Sequence, residues 1–152
     1  MRVGVISDTH GLLRPEALRA LAAVDLIVHA GDVGDRAILE GLRAVAPTTA
    51  VRGNVDGLPL AVELPESAVV EAGPALLYLR HDLDGLDLDP RAAGFAAVIT
   101  GHSHRPRAEW RDGVLYFNPG SAGPRRFSLP IALGLLTIDG GTLTPEIVVL
   151  DR

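Results

Sequence analysis

Residues 1–11 read MRVGVISDTHG, a short apolar run that ends in a polar loop. The run from Arg2 to Ser7 predicts a buried β-strand, because a continuous apolar segment of this length bounded by turn signals is typical of a strand in a sheet core. The loop that follows places Asp8 and His10 two residues apart. The stretch therefore predicts a core strand that carries two ligand-type side chains at its carboxyl end.

Strands and helices alternate after this first strand. Pro15–Ala22 predicts a helix, with its proline suited to the first turn. Leu26–Ala30 predicts a strand, Arg36–Val45 a second helix and Thr48–Val51 a third strand. A β-α-β-α-β order implies a parallel, right-handed layered arrangement.

The chain changes character after Pro59. Short strands close together predict an antiparallel meander at Ala61–Leu64, Ser67–Glu71 and Ala75–Leu79, and Pro90–Gly94 predicts a brief helix. The remaining predicted strands are Ala97–Thr100, Ala108–Arg111, Val114–Asn118, Ile131–Ile138 and Thr142–Leu150, the last two joined by a Gly140-Gly141 hairpin turn. The fold class is α/β, with two sheets packed face to face and helices outside.

Composition bounds the kind of protein. A length of 152 residues, 47% of them hydrophobic, predicts one globular domain over residues 1–152. No apolar run approaches the roughly 20 residues that cross a bilayer, and no export signal is recognised, so a cytoplasmic location without membrane contact is expected. The formal charge of −5 argues against stable nucleic-acid binding. The absence of cysteine excludes disulfides and thiolate ligands.

Ligand-type side chains follow five of the predicted strands, where ligands bind in open α/β sheets. They are Asp8 and His10, then Asp32, then Asn54, then His81, then the pair His102 and His104 in GHSH. Taken singly, Asp8, Asp32, Asn54 and His81 are better explained as a helix cap, a turn former or a surface residue, whereas the two histidines of GHSH fit a turn and a metal site equally well. Taken together, carboxylate, amide and imidazole groups suit Mn²⁺, Fe²⁺ or Zn²⁺, and seven such groups are too many for one ion and suit two.

The ordered set DTH, GD, GN, a single His and GHSH resembles the motifs of the calcineurin-like metallophosphoesterase superfamily. The similarity is greatest to its small, single-domain YfcE-type phosphodiesterase branch, which also shows the NPGS found here at residues 118–121. The resemblance spans nearly the whole chain. It implies a four-layer α/β/β/α sandwich of two mixed sheets with a dinuclear metal site at the strand carboxyl ends, a fold shared with the retromer small subunit.

The resemblance also implies a role for each residue. Asp8, His10 and His104 are expected to hold one ion, Asn54, His81 and His102 the other, and Asp32 to bridge both. Of these, Asp32, Asn54 and His81 are expected to take part in catalysis. The ions are expected to be Mn²⁺, with Fe²⁺, Zn²⁺ and Ni²⁺ as alternatives. Arg52 is a candidate phosphate contact, because arginine binds phosphate through two parallel hydrogen bonds.

The activity so implied is hydrolysis of small phosphodiesters by a metal-bridging hydroxide. Two alternatives stay open: a phosphomonoesterase using the same site, and a non-catalytic protein-binding scaffold of the same fold. Val55 stands where many superfamily members have a histidine that is a candidate general acid, and residues 82–89 are unusually acidic. The natural substrate and the oligomeric state are left open.

Overall fold

A computed structural model describes residues 1–151 and contains two five-stranded mixed sheets. The strands are β1 Arg2–Ile6, β2 Leu26–His29, β3 Thr48–Ala50, β4 Ser67–Ala72, β5 Ala75–Arg80, β6 Ala97–Ile99, β7 Arg107–Arg111, β8 Val114–Asn118, β9 Ala132–Asp139 and β10 Thr142–Val149. The first sheet has the order β10-β9-β1-β2-β3 and the second β4-β5-β6-β8-β7. The parallel neighbours are β1, β2 and β3 in one sheet and β5, β6 and β8 in the other.

The helices are short. They are α1 Pro15–Ala20, α2 Arg36–Arg43 and α3 Leu60–Glu63, with a single 3₁₀ turn at Leu83–Gly85. Pro15 starts α1, as predicted, and Asp35 caps α2 by accepting a hydrogen bond from the Ala37 N–H. Within residues 1–151, no helix is long and apolar enough to cross a membrane.

The strand β1 shows why the chain forms layers. Its side chains alternate between two apolar clusters: Val3 and Val5 pack between the sheets, whereas Ile6 packs with the helices on the outer face. Gly4 also lies on the helix side, where an added Cβ would overlap Leu21 of the first helical segment. Both faces of the strand are therefore covered, which confirms the prediction of a buried central strand.

The principal core lies between the sheets. It joins side chains from both of them, including Val28, Leu77, Ile99 and Phe117, and all four are essentially inaccessible to solvent. The outer face of the first sheet is covered by α1 and α2. The two-sheet α/β sandwich predicted from the sequence is confirmed.

The prediction of a strand at Ala61–Leu64 was wrong. This segment lies in α3 and its C-cap, where the Leu64 N–H donates to the Leu60 carbonyl. Leu60 and Leu64 are buried while Val62 is 78% exposed, as helical spacing of four residues requires. In a strand these three side chains would share one face, so the spacing of the two leucines was the missed signal.

The predicted helix at Pro90–Gly94 is only a hydrogen-bonded turn, in which the Ala93 N–H donates to the Asp89 carbonyl. Gly94 adopts a left-handed conformation (φ +85°) that ends it, and so short a segment gains too few hydrogen bonds to propagate a helix. The outer face of the second sheet is instead covered by Leu83, Leu86, Leu88 and Phe95. The fourth layer is therefore an irregular segment with one 3₁₀ turn, and not the α-helix that the four-layer prediction implied.

Candidate metal centre

The carboxyl ends of β1, β2, β3, β5 and β6 bring the predicted ligands together. All seven side chains meet at one edge between the two sheets, in two adjoining groups. The parallel order of these strands is the cause, because it turns every one of their carboxyl ends toward the same edge.

The first group consists of Asp8, His10 and His104, whose ligand atoms lie within 4.8 Å of one another. Asp8 Oδ1 lies 3.8 Å from His10 Nε2 and 3.3 Å from His104 Nε2. Asp8 Oδ1 and His10 Nε2 are buried and have no hydrogen-bond partner among the described residues. Buried polar atoms are normally paired, so these two atoms fit a cation bound between them.

The second group consists of Asp32, His81 and His102, also within 4.8 Å of one another. Asn54 completes it, because its Oδ1 lies 2.9 Å from His81 Nε2 and 3.1 Å from His102 Nδ1. This division into two groups matches the partition that the family resemblance implies. The donor set of imidazole, carboxylate and amide suits a divalent ion of borderline hardness.

Asp32 belongs to the second group and also approaches the first. Its Oδ2 is 3.8 Å from His10 Nε2 in the first group and 3.1 Å from His81 Nε2 in the second. Its Oδ1 accepts the Val55 N–H. Asp8 is held in the same way, since its Oδ2 accepts the Ser7 hydroxyl and its Oδ1 is left free. In both carboxylates one oxygen is anchored and the other is presented to the centre.

The protonation behaviour of the site reflects its negative charge. Burial alone would lower the pKa of His81, but its hydrogen bond with Asp32, the charge of Asp8 and the Ala30 carbonyl together raise it. Burial would raise the pKa of Asp32, but hydrogen bonds from His81 and the Val55 N–H outweigh burial and lower it to about 2. The carboxylates of the site therefore stabilise a positive charge nearby. A protonated His81 is one source of that charge, and a bound metal ion would be a stronger one.

The orientation of His81 also suits a metal ligand. Its Nδ1 lies 2.6 Å from the Ala30 carbonyl oxygen, which can only accept, so Nδ1 carries a proton. A backbone carbonyl at one ring nitrogen is the usual partner of a metal-bound histidine, because it fixes the ring and increases the basicity of the other nitrogen.

The backbone at the centre is strained. Five of the seven non-glycine residues with left-handed φ in the described chain are candidate ligands: Asp8, His10, Asp32, His102 and His104, with φ between +47° and +71°. Such conformations cost free energy and cluster at functional sites, where surrounding contacts maintain them.

Two motif glycines make room for the carboxylates. A Cβ on Gly53 would overlap Asp32 Oδ1, and a Cβ on Gly101 would overlap Ser7 Oγ and Asp8 Oδ2. The glycines of GN and GHSH are therefore required by close approach of the loops that carry the ligands.

Gly101→Ala is expected to weaken metal binding about 10- to 100-fold, the usual effect of displacing a group that orients a ligand. The new methyl group would push Ser7 and Asp8 apart and move Asp8 Oδ1. Calorimetric titration with Mn²⁺ measures the affinity. Gly57→Ala is the matched control, because a Cβ there meets nothing within 4 Å; equal affinities of the two variants would contradict this account of Gly101.

His29 connects the loop that carries Asp8 to the loop that carries Asp32. It is fully buried, and its Nε2 lies 2.9 Å from the Thr9 hydroxyl oxygen, which itself donates to the Val33 carbonyl. The Gly31 N–H donates to His29 Nδ1. The hydroxyl must then accept from Nε2, so His29 is a neutral imidazole protonated at Nε2. Consistent with this, burial lowers its pKa to about 4, although the nearby carboxylates oppose the shift.

His29 is expected to make the metal-free protein acid-sensitive. The unfolded state binds its proton near pH 6.5 and the folded state only near pH 4, so stability falls as pH decreases through this window and is unaffected above it. The pKa difference corresponds to about 3 kcal/mol. Urea unfolding at pH 7.5 and 4.5 should show this loss in the wild type and a smaller one in His29→Gln. Identical pH dependence in both proteins would refute the assignment.

Three further side chains position the loops without belonging to the ligand set. Asp56 accepts the backbone N–H groups of Val33, Gly34 and Gly53, and so ties the Asp32 loop to the Asn54 loop. Two residues of the NPGS motif act likewise: Asn118 Nδ2 donates to the Gly101 carbonyl and Ser121 Oγ to the Asp8 carbonyl. The motif was noted in the sequence, but its contacts join residues too distant in the chain to be inferred from it.

Arg52 lies beside the centre in a cavity of about 300 Å³ that Asn54 and His81 also line. Its guanidinium donates to the Leu64 carbonyl and lies 3.8 Å from Glu66. Of the acidic stretch, Asp82 lines this cavity as well, and it caps the 3₁₀ turn by accepting the Asp84 N–H.

Comparison with known proteins gives a consistent result. Residues 1–141 match the calcineurin-like phosphoesterase superfamily domain. A probable metallophosphoesterase of Methanocaldococcus jannaschii is 37% identical over 134 residues, covering 80% of this chain and 68% of that protein. Phosphodiesterase YfcE of Escherichia coli is 30% identical over 163 aligned positions, covering 91% of this chain and 89% of YfcE.

Solved structures show the same fold. YfcE, described as a phosphoesterase, superposes with a TM-score of 0.70 at 25% identity across the structural alignment, covering 99% of this chain and 100% of that one. Vps29 of Entamoeba histolytica, solved in complex with Zn²⁺, superposes with a TM-score of 0.75 at 24% identity and the same coverage, which shows the fold alone. The chain belongs to the calcineurin-like phosphoesterase superfamily and is a metal-dependent phosphoesterase.

Proposed function

We propose that the chain is a dinuclear phosphodiesterase that hydrolyses small phosphodiesters. The observation that carries the proposal is the position of Asp32 Oδ2, which lies within 4 Å of a histidine nitrogen of each ligand group. A shared carboxylate is what a pair of cations roughly 3.5–4 Å apart needs, because its charge offsets their mutual repulsion.

Each ion would be held by residues of one group. Asp8, His10 and His104 would bind the first ion, Asn54, His81 and His102 the second, and Asp32 both. Mn²⁺ is the proposed ion, with Fe²⁺, Zn²⁺ and Ni²⁺ as alternatives, because this donor set accepts all of them. When bound, two such ions supply a water of lowered pKa and positive charge that stabilises the transferring phosphoryl group.

The protein's own residues would orient the substrate. The Arg52 guanidinium, 39% exposed and in the cavity beside Asn54, is placed to donate to a phosphate oxygen. Its partner Glu66 and the nearby Asp82 bring negative charge to the same cavity. A phosphodiester carries one negative charge and a monoester close to two at neutral pH, so these carboxylates favour the diester.

The fold, which this chain shares with Vps29, is compatible with the scaffold alternative as well as with an enzyme. The fold alone therefore does not separate an enzyme from a binding protein. The unpartnered Asp8 Oδ1 and His10 Nε2 favour a metal-binding protein over a metal-free scaffold, since without an ion these buried atoms would be unsatisfied at a cost in stability.

A panel of esters tests the proposal. Metal-stripped protein is assayed with aryl and alkyl phosphodiesters and with the matching monoesters, with Mn²⁺, Zn²⁺, Fe²⁺ or Ni²⁺ added singly. We expect diester hydrolysis that requires added ion. Faster hydrolysis of monoesters would instead establish a phosphomonoesterase, and inactivity with every ion and ester would favour the scaffold.

A further inference from the structure

We propose that a cavity on the outer face of the second sheet, beside His102, binds a nucleobase-type heteroaromatic group of the substrate. This inference rests on the proposed function and adds the chemical class of one ester substituent. The cavity has a volume of about 290 Å³, and His102 and Ser103 of the GHSH loop line it. A phosphodiester held by the centre would therefore direct one of its two substituents into this cavity.

Side-chain alternation places an aromatic ring in the wall. Leu115 and Phe117 of β8 are buried between the sheets, so Tyr116 faces the opposite side, where it lines the cavity. Glu109 of β7 pairs directly opposite Tyr116. The Arg111 guanidinium carbon lies 4.8 Å from the centroid of the Tyr116 ring. Ring and guanidinium are both planar and polarisable, and either can stack against a base.

The polar groups of the cavity are balanced in charge. Arg105, Arg107 and Arg111 line it together with Asp82, Asp84 and Glu109. Glu109 pairs with Arg107 and Arg111. Guanidinium groups donate hydrogen bonds and carboxylates accept them, which matches the mixed edge of a neutral base. A second phosphate would face the carboxylates, and an aliphatic group would offer these polar groups no hydrogen-bond partner.

The cavity beside Asn54 and His81 differs. It is lined by Arg52, Glu66 and Arg80, and its one ring among the described residues is the imidazole of His81. Because His81 is a candidate metal ligand, only the Tyr116 cavity of the two offers an aromatic stacking ring outside the candidate ligand set. This difference assigns the base to the Tyr116 cavity and leaves the Arg52 cavity for a polar substituent.

Binding of adenosine 5′-monophosphate and ribose 5-phosphate to the Mn²⁺-loaded protein tests the assignment by calorimetry. Both carry the same phosphate and sugar, and they differ in the base. We expect the nucleotide to bind roughly tenfold more tightly or better, as stacking of one base provides. Tyr116→Leu should remove most of this advantage and leave ribose 5-phosphate binding unchanged.

Two variants serve as companions. Arg111→Gln should reduce the advantage several-fold without disturbing the packed ring, so it decides the matter if Tyr116→Leu does not fold. Trp110→Leu is the matched control: Trp110 is a 52% exposed aromatic residue of β7 that does not line the cavity, and its loss should change nothing.

The outcomes separate the two proposals. An equal affinity for both ligands in the wild type, or an advantage that survives both Tyr116→Leu and Arg111→Gln, would overturn the base site even if diesters are hydrolysed. A base-dependent advantage in a protein that hydrolyses no ester would support the base site and refute the proposed function.

Discussion

Asp32→Asn is expected to abolish binding of two ions and to leave at most one weakly bound ion per chain. The carboxylate contributes the negative charge shared by both groups, and asparagine keeps its shape without that charge. Because altering a residue that only orients a ligand already costs about 10- to 100-fold in metal affinity, removing the shared ligand should cost more than about 100-fold. Hydrolysis should fall at least in proportion.

His104→Ala is the matched comparison for Asp32→Asn. It removes a ligand from the first group only, 3.3 Å from Asp8 Oδ1, and so should weaken one ion while the second group keeps its ligands. Metal content after gel filtration, measured by elemental analysis, distinguishes the variants. Two full equivalents retained by Asp32→Asn would refute the bridging role.

A steep dependence of rate on leaving-group acidity is expected, with activated aryl diesters hydrolysed far faster than alkyl diesters. A positioned general acid contributes about 10²–10⁴-fold, and valine at position 55 cannot donate a proton. Asp56 does not supply the proton either, because both of its oxygens accept backbone N–H groups. We therefore expect the leaving oxygen to depart without a side-chain acid.

A series of diesters with graded leaving-group pKa, assayed where chemistry limits the rate, measures this dependence. A flat plot would mean that a side chain protonates the leaving group after all. Val55→His gives the converse measurement, since the Val55 side chain is 56% exposed beside Asn54 and can be replaced without disturbing the core. It should accelerate only poor leaving groups, whereas the control Val55→Asn should not.

The sequence predicted that the candidate ligands lie together, because their positions depend on strand order. Each ligand follows a strand, and parallel strands end at a common edge, so Asp8, Asp32 and Asn54 could be brought together without knowing any contact. Family motifs then supplied the division into two groups. Interactions across loops were not predictable in this way: the three N–H donors to Asp56 and the His29–Thr9 pair join segments that no periodicity connects.

The fold predictions failed where the chain gives little periodic signal. In residues 60–64, four of the five residues are apolar, a composition that fits a strand or a helix, and burial of Leu60 and Leu64 decides for a helix. In residues 83–95, scattered apolar residues cover the second sheet without a repeating helical face. Tertiary contacts, rather than local preference, determine both segments.

Stepwise addition of Mn²⁺ to metal-stripped protein, with hydrolysis of an activated aryl phosphodiester followed at each step, tests most directly the claim that these seven residues form a dinuclear hydrolytic centre. The account predicts negligible activity in the stripped protein and a rise that is complete at two equivalents per chain. Full activity without added ion, or saturation at one equivalent, would contradict it.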